Sequence, residues 1–112
     1  MLLRTTWPMR AGDVLRCDFG TPARGEPGFI RPAIVVTSDD VLAFRQHAIL
    51  VVPCTTNQRG WLSEVEIAEV GAAQAHLPTT ISVDRVVEQT ARNVGPVALQ
   101  QIRELIADLL GF

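Results

Sequence analysis

Lysine is absent: all ten basic residues are arginine. A genome that writes Arg for Lys accounts for the missing lysine but not for where the arginines lie. Cysteine is scarce. Cys17 and Cys54 are the two thiols and neither sits in a C-x-x-C, which argues against a disulfide framework or a zinc knuckle. Both lie in apolar runs and read as small core residues. No stretch approaches the ~20 apolar residues of a membrane span. Residues 1–8 lack the apolar segment of a signal peptide, so the expected location is the cytoplasm. There is no G-x-S-x-G, no Ser/His/Asp order of a hydrolase, no Gly-rich loop joining a strand to a helix, and no cluster of metal ligands. No cofactor is expected. His47 and His76 stand alone, and a surface or capping role is the simplest reading.

What is present is enough for one small core. Hydrophobic residues make up 47% of 112 and charged residues 20%, so the expectation is a single domain over 1–112. The net charge of −2 is unevenly spread. Residues 1–61 carry seven Arg against five acidic residues, whereas 62–112 carry three against seven. An arginine cluster can bind phosphate on an acidic protein, because charges are screened within about 10 Å at ordinary salt.

The elements follow from periodicity. Residues 13–19 alternate, with Leu15, Cys17 and Phe19 on one face. Residues 20–32 hold three Gly and three Pro and read as a long loop. Residues 33–37 and 48–53 are continuous apolar runs, read as buried strands, and Pro53 should end the second. Ser38-Asp39-Asp40 starts a short helical turn. Residues 63–67 alternate like an edge strand, 71–76 read as a small-residue connector, and 79–83 with 85–87 as short strands or one bent strand. Leu99, Ile102, Leu105, Ile106, Leu109 and Leu110 recur at helical spacing, giving an amphipathic helix over 97–110. Pro96 suits its first turn and Gly111 its end. Residues 1–9 form an N-terminal tail. The class is α+β, mainly β: a barrel of short strands with an appended helix.

Two polar clusters flank the buried strands. Arg31 stands at the root of one, and Pro32 fixes the chain leaving it. Its guanidinium is always charged and presents a planar fork suited to phosphate. Thr55-Thr56-Asn57-Gln58-Arg59 follow Pro53 and supply hydroxyls and amides suited to phosphate or base edges. On these features alone, two solvated turns are the slightly better account.

Three blocks taken together resemble the MazF/PemK family of toxin endoribonucleases. They are Gly12-Asp13-Val14 through Asp18-Phe19-Gly20, then Gly25-Glu26 through Arg31-Pro32-Ala33-Ile34-Val35-Val36, then Val51-Val52-Pro53-Cys54-Thr55-Thr56. The resemblance spans roughly 10–112. It implies a small SH3-like barrel of the PemK/CcdB type with a C-terminal helix, acting as a homodimer. It implies metal-independent, sequence-selective cleavage of single-stranded RNA, chiefly messenger RNA, and a cognate antitoxin that blocks the RNA groove. By resemblance Arg31 matches the catalytic arginine, Thr55 the catalytic threonine and Glu26 a candidate base. Asn57 sits where the family often places a base-contacting amide. Thr56 and Gln58 are neighbouring donors and acceptors, Arg24 and Arg59 would meet flanking phosphates, and Phe19 or Trp61 could stack on an unpaired base.

Some positions depart from the family pattern. Pro27 follows Glu26 where many members have Gln. Phe29-Ile30 precede Arg31 where small or polar residues are common. Arg85 follows Asp84 in place of a frequent Gln, and residues 92–96 make a shorter approach to the helix. The alternative reading is a non-catalytic toxin resembling the CcdB gyrase poisons, which would need neither Arg31 nor Thr55.

Overall fold

Strand alternation sorts the apolar side chains onto two faces of one sheet. The computed structural model describes residues 8–112. Its elements are β1 (Asp13–Asp18), β2 (Ile30–Val35), α1 (Asp39–Leu42), β3 (Ala48–Thr55), β4 (Glu64–Ile67), β5 (Gly71–Gln74), β6 (Thr79–Ser82), a 3-10 turn (Val83–Arg85), β7 (Val86–Asn93) and α2 (Gly95–Leu110). Every pairing is antiparallel. The strands run in the order β4-β5-β3-β2-β1-β7, and β6 pairs with β3 off this path. The α+β, mainly β architecture with a C-terminal helix is therefore as expected. Closure into a barrel is not among the pairings of the described residues, where β4 and β7 end the path.

Each face carries its own core. Leu15, Cys17, Ala33, Val35, Ile49 and Val51 share one cluster. Val14, Ile34, Val52 and Cys54 share the other, with Leu99 and Ile102 of α2. Central strands covered on both faces lose polar alternation, which is why β2 and β3 read as unbroken apolar runs. Helix α2 covers the second face: Ile102 is fully buried and Leu105 and Ile106 pack beside it. Pro96 lies in its first turn, and Gly111 at φ 87° caps its end. The Arg103 guanidinium donates to the Val36 carbonyl (Nη2, 3.1 Å), tying the helix to the end of β2.

Several boundaries move. Helix α2 begins at Gly95, two residues before the expected start. Met9, within the expected tail, is a buried core residue, and residues 1–7 lie outside the described residues. Pro53 does not end its strand: it pairs with Ala33, and β3 continues to Thr55 by adding β5 as a partner. The presumed connector at 71–76 contains that strand β5. The pieces expected at 79–83 and 85–87 are β6, a 3-10 turn and an eight-residue β7. Among the described residues no helix is long and apolar enough to cross a membrane.

Candidate active site

Arg31 and Thr55 lie just past the end of one strand pair. β2 and β3 pair Val35 with Val51, Ile34 with Val52 and Ala33 with Pro53, and the ladder stops there, two residues short of both. Both residues also border one shallow cavity of about 220 Å³, together with Ile30, Pro32, Cys54, Thr56 and Val70. The two residues, 24 apart in sequence, thus come together at the end of a rigid central ladder.

Their hydrogen bonds leave capacity for a ligand. Arg31 Nε donates to the Gly28 carbonyl at 3.0 Å. That bond fixes the guanidinium plane, and no protein partner takes the Nη groups among the described residues. Thr55 Oγ1 accepts from the Asn57 amide at 3.0 Å, so its O–H remains free to donate. Both side chains are half-buried. Next to them the Cys54 thiol is pushed up to about 12 by burial, while the Arg31 guanidinium pulls it down. A thiol held protonated is not a nucleophile. Cys54 therefore serves as core, as does Cys17, whose thiol burial also pushes up to about 12.

The β1–β2 loop delivers Arg31. It is pinched by two backbone bonds, Phe19 N to Phe29 O (2.9 Å) and Phe29 N to Gly20 O (2.7 Å). The pinch forces Phe29 to φ 61°, a conformation a bulky residue adopts at a cost of about 1–2 kcal/mol. Glu26 accepts the Ala23 amide at 2.7 Å within the loop. It does not border the Arg31 cavity. It borders a second one of about 450 Å³ with Phe19, Pro27, His76, Ser82 and Arg85. Phe19 combines two roles: it packs against the core and also lines this cavity. Arg24 is exposed in the same loop.

The β3–β4 loop holds the other nominated residues. Asn57, Gln58, Arg59 and Trp61 are all exposed. The Glu64 carboxylate gathers the backbone amides of Arg59 (3.1 Å), Gly60 (2.9 Å) and Trp61 (3.2 Å). The Arg59 guanidinium lies 5.2 Å from the Trp61 ring centre. Trp61 meets His76 edge-to-face at 5.1 Å, and His76 Nδ1 shares a 2.9 Å hydrogen bond with Ser63 Oγ. His76 is thus not isolated, and the sequence reading missed this cluster. Ser63 and His76 are thirteen residues apart with no local pattern joining them. Among the described residues no three His, Cys, Asp or Glu side chains converge as a metal site.

A guanidinium fork and a free hydroxyl on adjacent strands make a small anion site, able to grip two oxygens of one phosphate. Comparison with known proteins gives that geometry a context. The chain matches the fold of MazF from Deinococcus radiodurans at TM-score 0.82 and 19% identity, over 96% of this chain and 100% of that one. An endoribonuclease from a Mycobacterial species, solved with its cognate antitoxin, matches at 0.74 and 23%, over 95% and 97%. Toxin MazF-mt6 of Mycobacterium tuberculosis matches at 0.67 and 17%, over 89% and 97%. No curated protein sequence matches. The model of the PemK-like, MazF-like toxins of type II toxin–antitoxin systems covers residues 10–110. Since that match takes in every strand and the terminal helix, the chain belongs to this toxin family.

Proposed function

We propose that the chain is an endoribonuclease, the toxin of a type II pair, which cuts single-stranded RNA without a metal ion. Family membership supports the class. The observation that carries the chemistry is the cavity of about 220 Å³ that Arg31 and Thr55 line together just past the last β2–β3 pair. In this reading the RNA 2′-oxygen attacks the adjacent phosphorus. A P–O2′ bond forms and the P–O5′ bond breaks, leaving 2′,3′-cyclic phosphate and 5′-OH ends. The 2′ proton leaves to a base, and a proton is delivered to the departing 5′-oxygen.

Arg31 neutralises the non-bridging oxygens as charge concentrates on the phosphorane. Thr55 donates to the same phosphate and holds it in line. Glu26 takes the 2′ proton, for which the β1–β2 loop must carry its carboxylate from the neighbouring cavity to the one that Arg31 and Thr55 line. Arg31 is a poor base, since a guanidinium keeps its proton to a pKa above about 12. Arg24 and Arg59 meet flanking phosphates. Thr56, Asn57 and Gln58 read base edges, and Phe19 and Trp61 stack on unpaired bases. The active form is a cytoplasmic homodimer of single-domain chains, held in check by a cognate antitoxin.

The test is incubation of the purified protein with unstructured RNA in EDTA, followed by end-group analysis. Fragments with 2′,3′-cyclic phosphate are expected. Arg31→Ala and Thr55→Ala should each slow cutting by at least about 100-fold, the usual effect of removing one charge-stabilising donor, with unchanged melting temperature. Intact RNA together with arrested DNA gyrase would replace this reading with the CcdB-like one.

A further inference from the structure

The β3–β4 loop carries a set of specific contacts although it is exposed. Trp61 is 47% exposed, yet it is held by two neighbours. Glu64 clips the backbone on which it stands through three amides. His76, from the segment after β5, meets the indole edge-to-face at 5.1 Å. The imidazole is itself held by Ser63 at 2.9 Å. The third neighbour is different in kind. The Arg59 guanidinium rests 5.2 Å from the ring, but Arg59 is exposed and has no ion pair among the described residues.

A large aromatic surface held rigidly and half open to water, with a displaceable cation over it, matches what an unpaired nucleobase needs. Bases stack on aromatic side chains with little sequence preference. A guanidinium displaced from the ring by a base can pair with the phosphate beside that base. We propose that His76, locked by Ser63, is a positioning residue that holds Trp61 as a stacking plate for one unpaired nucleobase of single-stranded RNA, which takes the place of Arg59 over the indole. The proposal rests on the RNA reading above and adds His76, Ser63 and Glu64 to the residues that serve it. It also assigns Arg59 two positions, over the ring when RNA is absent and on a phosphate when it is bound.

The experiment uses the full chain carrying Trp7→Phe, so that Trp61 is the only tryptophan. Short 2′-O-methyl oligonucleotides of mixed sequence, which cannot be cut by 2′-oxygen attack, are titrated in. Binding is read by anisotropy of a labelled strand and stacking by quenching of the indole. Binding should quench Trp61. His76→Ala and Trp61→Ala should each weaken binding about tenfold, and the two together no more than Trp61→Ala alone, because His76 acts through Trp61. His76→Phe keeps a ring against the indole and should recover most of the affinity, which guards against a variant that merely misfolds. Arg59→Ala should keep the quenching while lowering the slope of log affinity against log salt by about one.

Binding with no change in Trp61 fluorescence, or additive losses from His76→Ala and Trp61→Ala, would overturn the plate. So would an absence of binding. These outcomes are separable from the nuclease reading, which is judged by cutting of ordinary RNA: cutting without quenching sinks the plate alone, and quenching with the coupled losses but without cutting sinks the nuclease alone.

Discussion

Cys54 adjoins Thr55, and burial pushes its thiol from an ordinary 9.0 to about 12; Cys17 is raised to about 12 in the same way. The sign of the consequence is fixed. Below pH 9.0 both thiols are protonated in folded and unfolded chains and favour neither. Above it the unfolded chain loses protons that the folded chain keeps, so stability falls as pH rises toward about 12. The slope reaches up to about 1.4 kcal/mol per pH unit for each thiol. Denaturant melts across that window should show the decline, and Cys17→Ala with Cys54→Ala should flatten it. A slope unaltered by the double variant would contradict the assignment. At this scale the sequence was informative about type and weak about company. Arg31 and Thr55 are legible because each follows or opens an apolar run and each sits in a recognisable block. Glu26 is legible too, but nothing local shows that its carboxylate folds back onto Ala23. The Ser63–His76 pair depends on how β4 and the segment after β5 lie side by side, which is tertiary information.

Strand β5 illustrates the same limit for elements. Gly71-Ala72-Ala73-Gln74 has little β-propensity and no alternation, hence its reading as a connector. It is a strand because it lies between β3 and β4, and small residues are what that position admits. Gly71 has φ 131°, and a Cβ there would meet the Thr55 carbonyl oxygen at 2.7 Å. Gly71→Ala should therefore displace Thr55 as well as strain the backbone. The expected loss is about 1–3 kcal/mol by denaturant melt, with a larger loss of cutting at temperatures where the variant remains folded. Wild-type stability and activity in this variant would contradict the close approach. The elements that were legible are those with strong periods. β1 alternates, β2 and β3 are apolar throughout because both their faces are covered, and α2 carries Pro96 and Gly111 at its ends. Pro53 misled because a residue without an N–H normally ends pairing. Here β3 is continued past it by a new neighbour on its other side. The latter half of β7, exposed along Ala91–Asn93, has no buried face to impose a pattern.

For the whole molecule, the two-sided sheet explains why the site is where it is. Both faces of β2 and β3 are filled with apolar side chains over their central stretch, so polar chemistry is confined to the strand ends. One end of the β2–β3 ladder carries Arg31 and Thr55, and the loops that continue from it carry Glu26 on one side and Trp61 on the other. The surface retains large exposed apolar residues, among them Leu62, Phe44 and Phe112, consistent with the proposed dimer and antitoxin contacts. The account depends most on one phosphodiester being gripped by two strands at once. The direct measurement is a crystal structure of the protein with single-stranded RNA whose scissile nucleotide lacks the 2′-hydroxyl. The scissile phosphate should lie within hydrogen-bonding distance of both the Arg31 guanidinium and the Thr55 hydroxyl. A phosphate bound away from this pair, with Arg31 and Thr55 touching no part of the RNA, would contradict it.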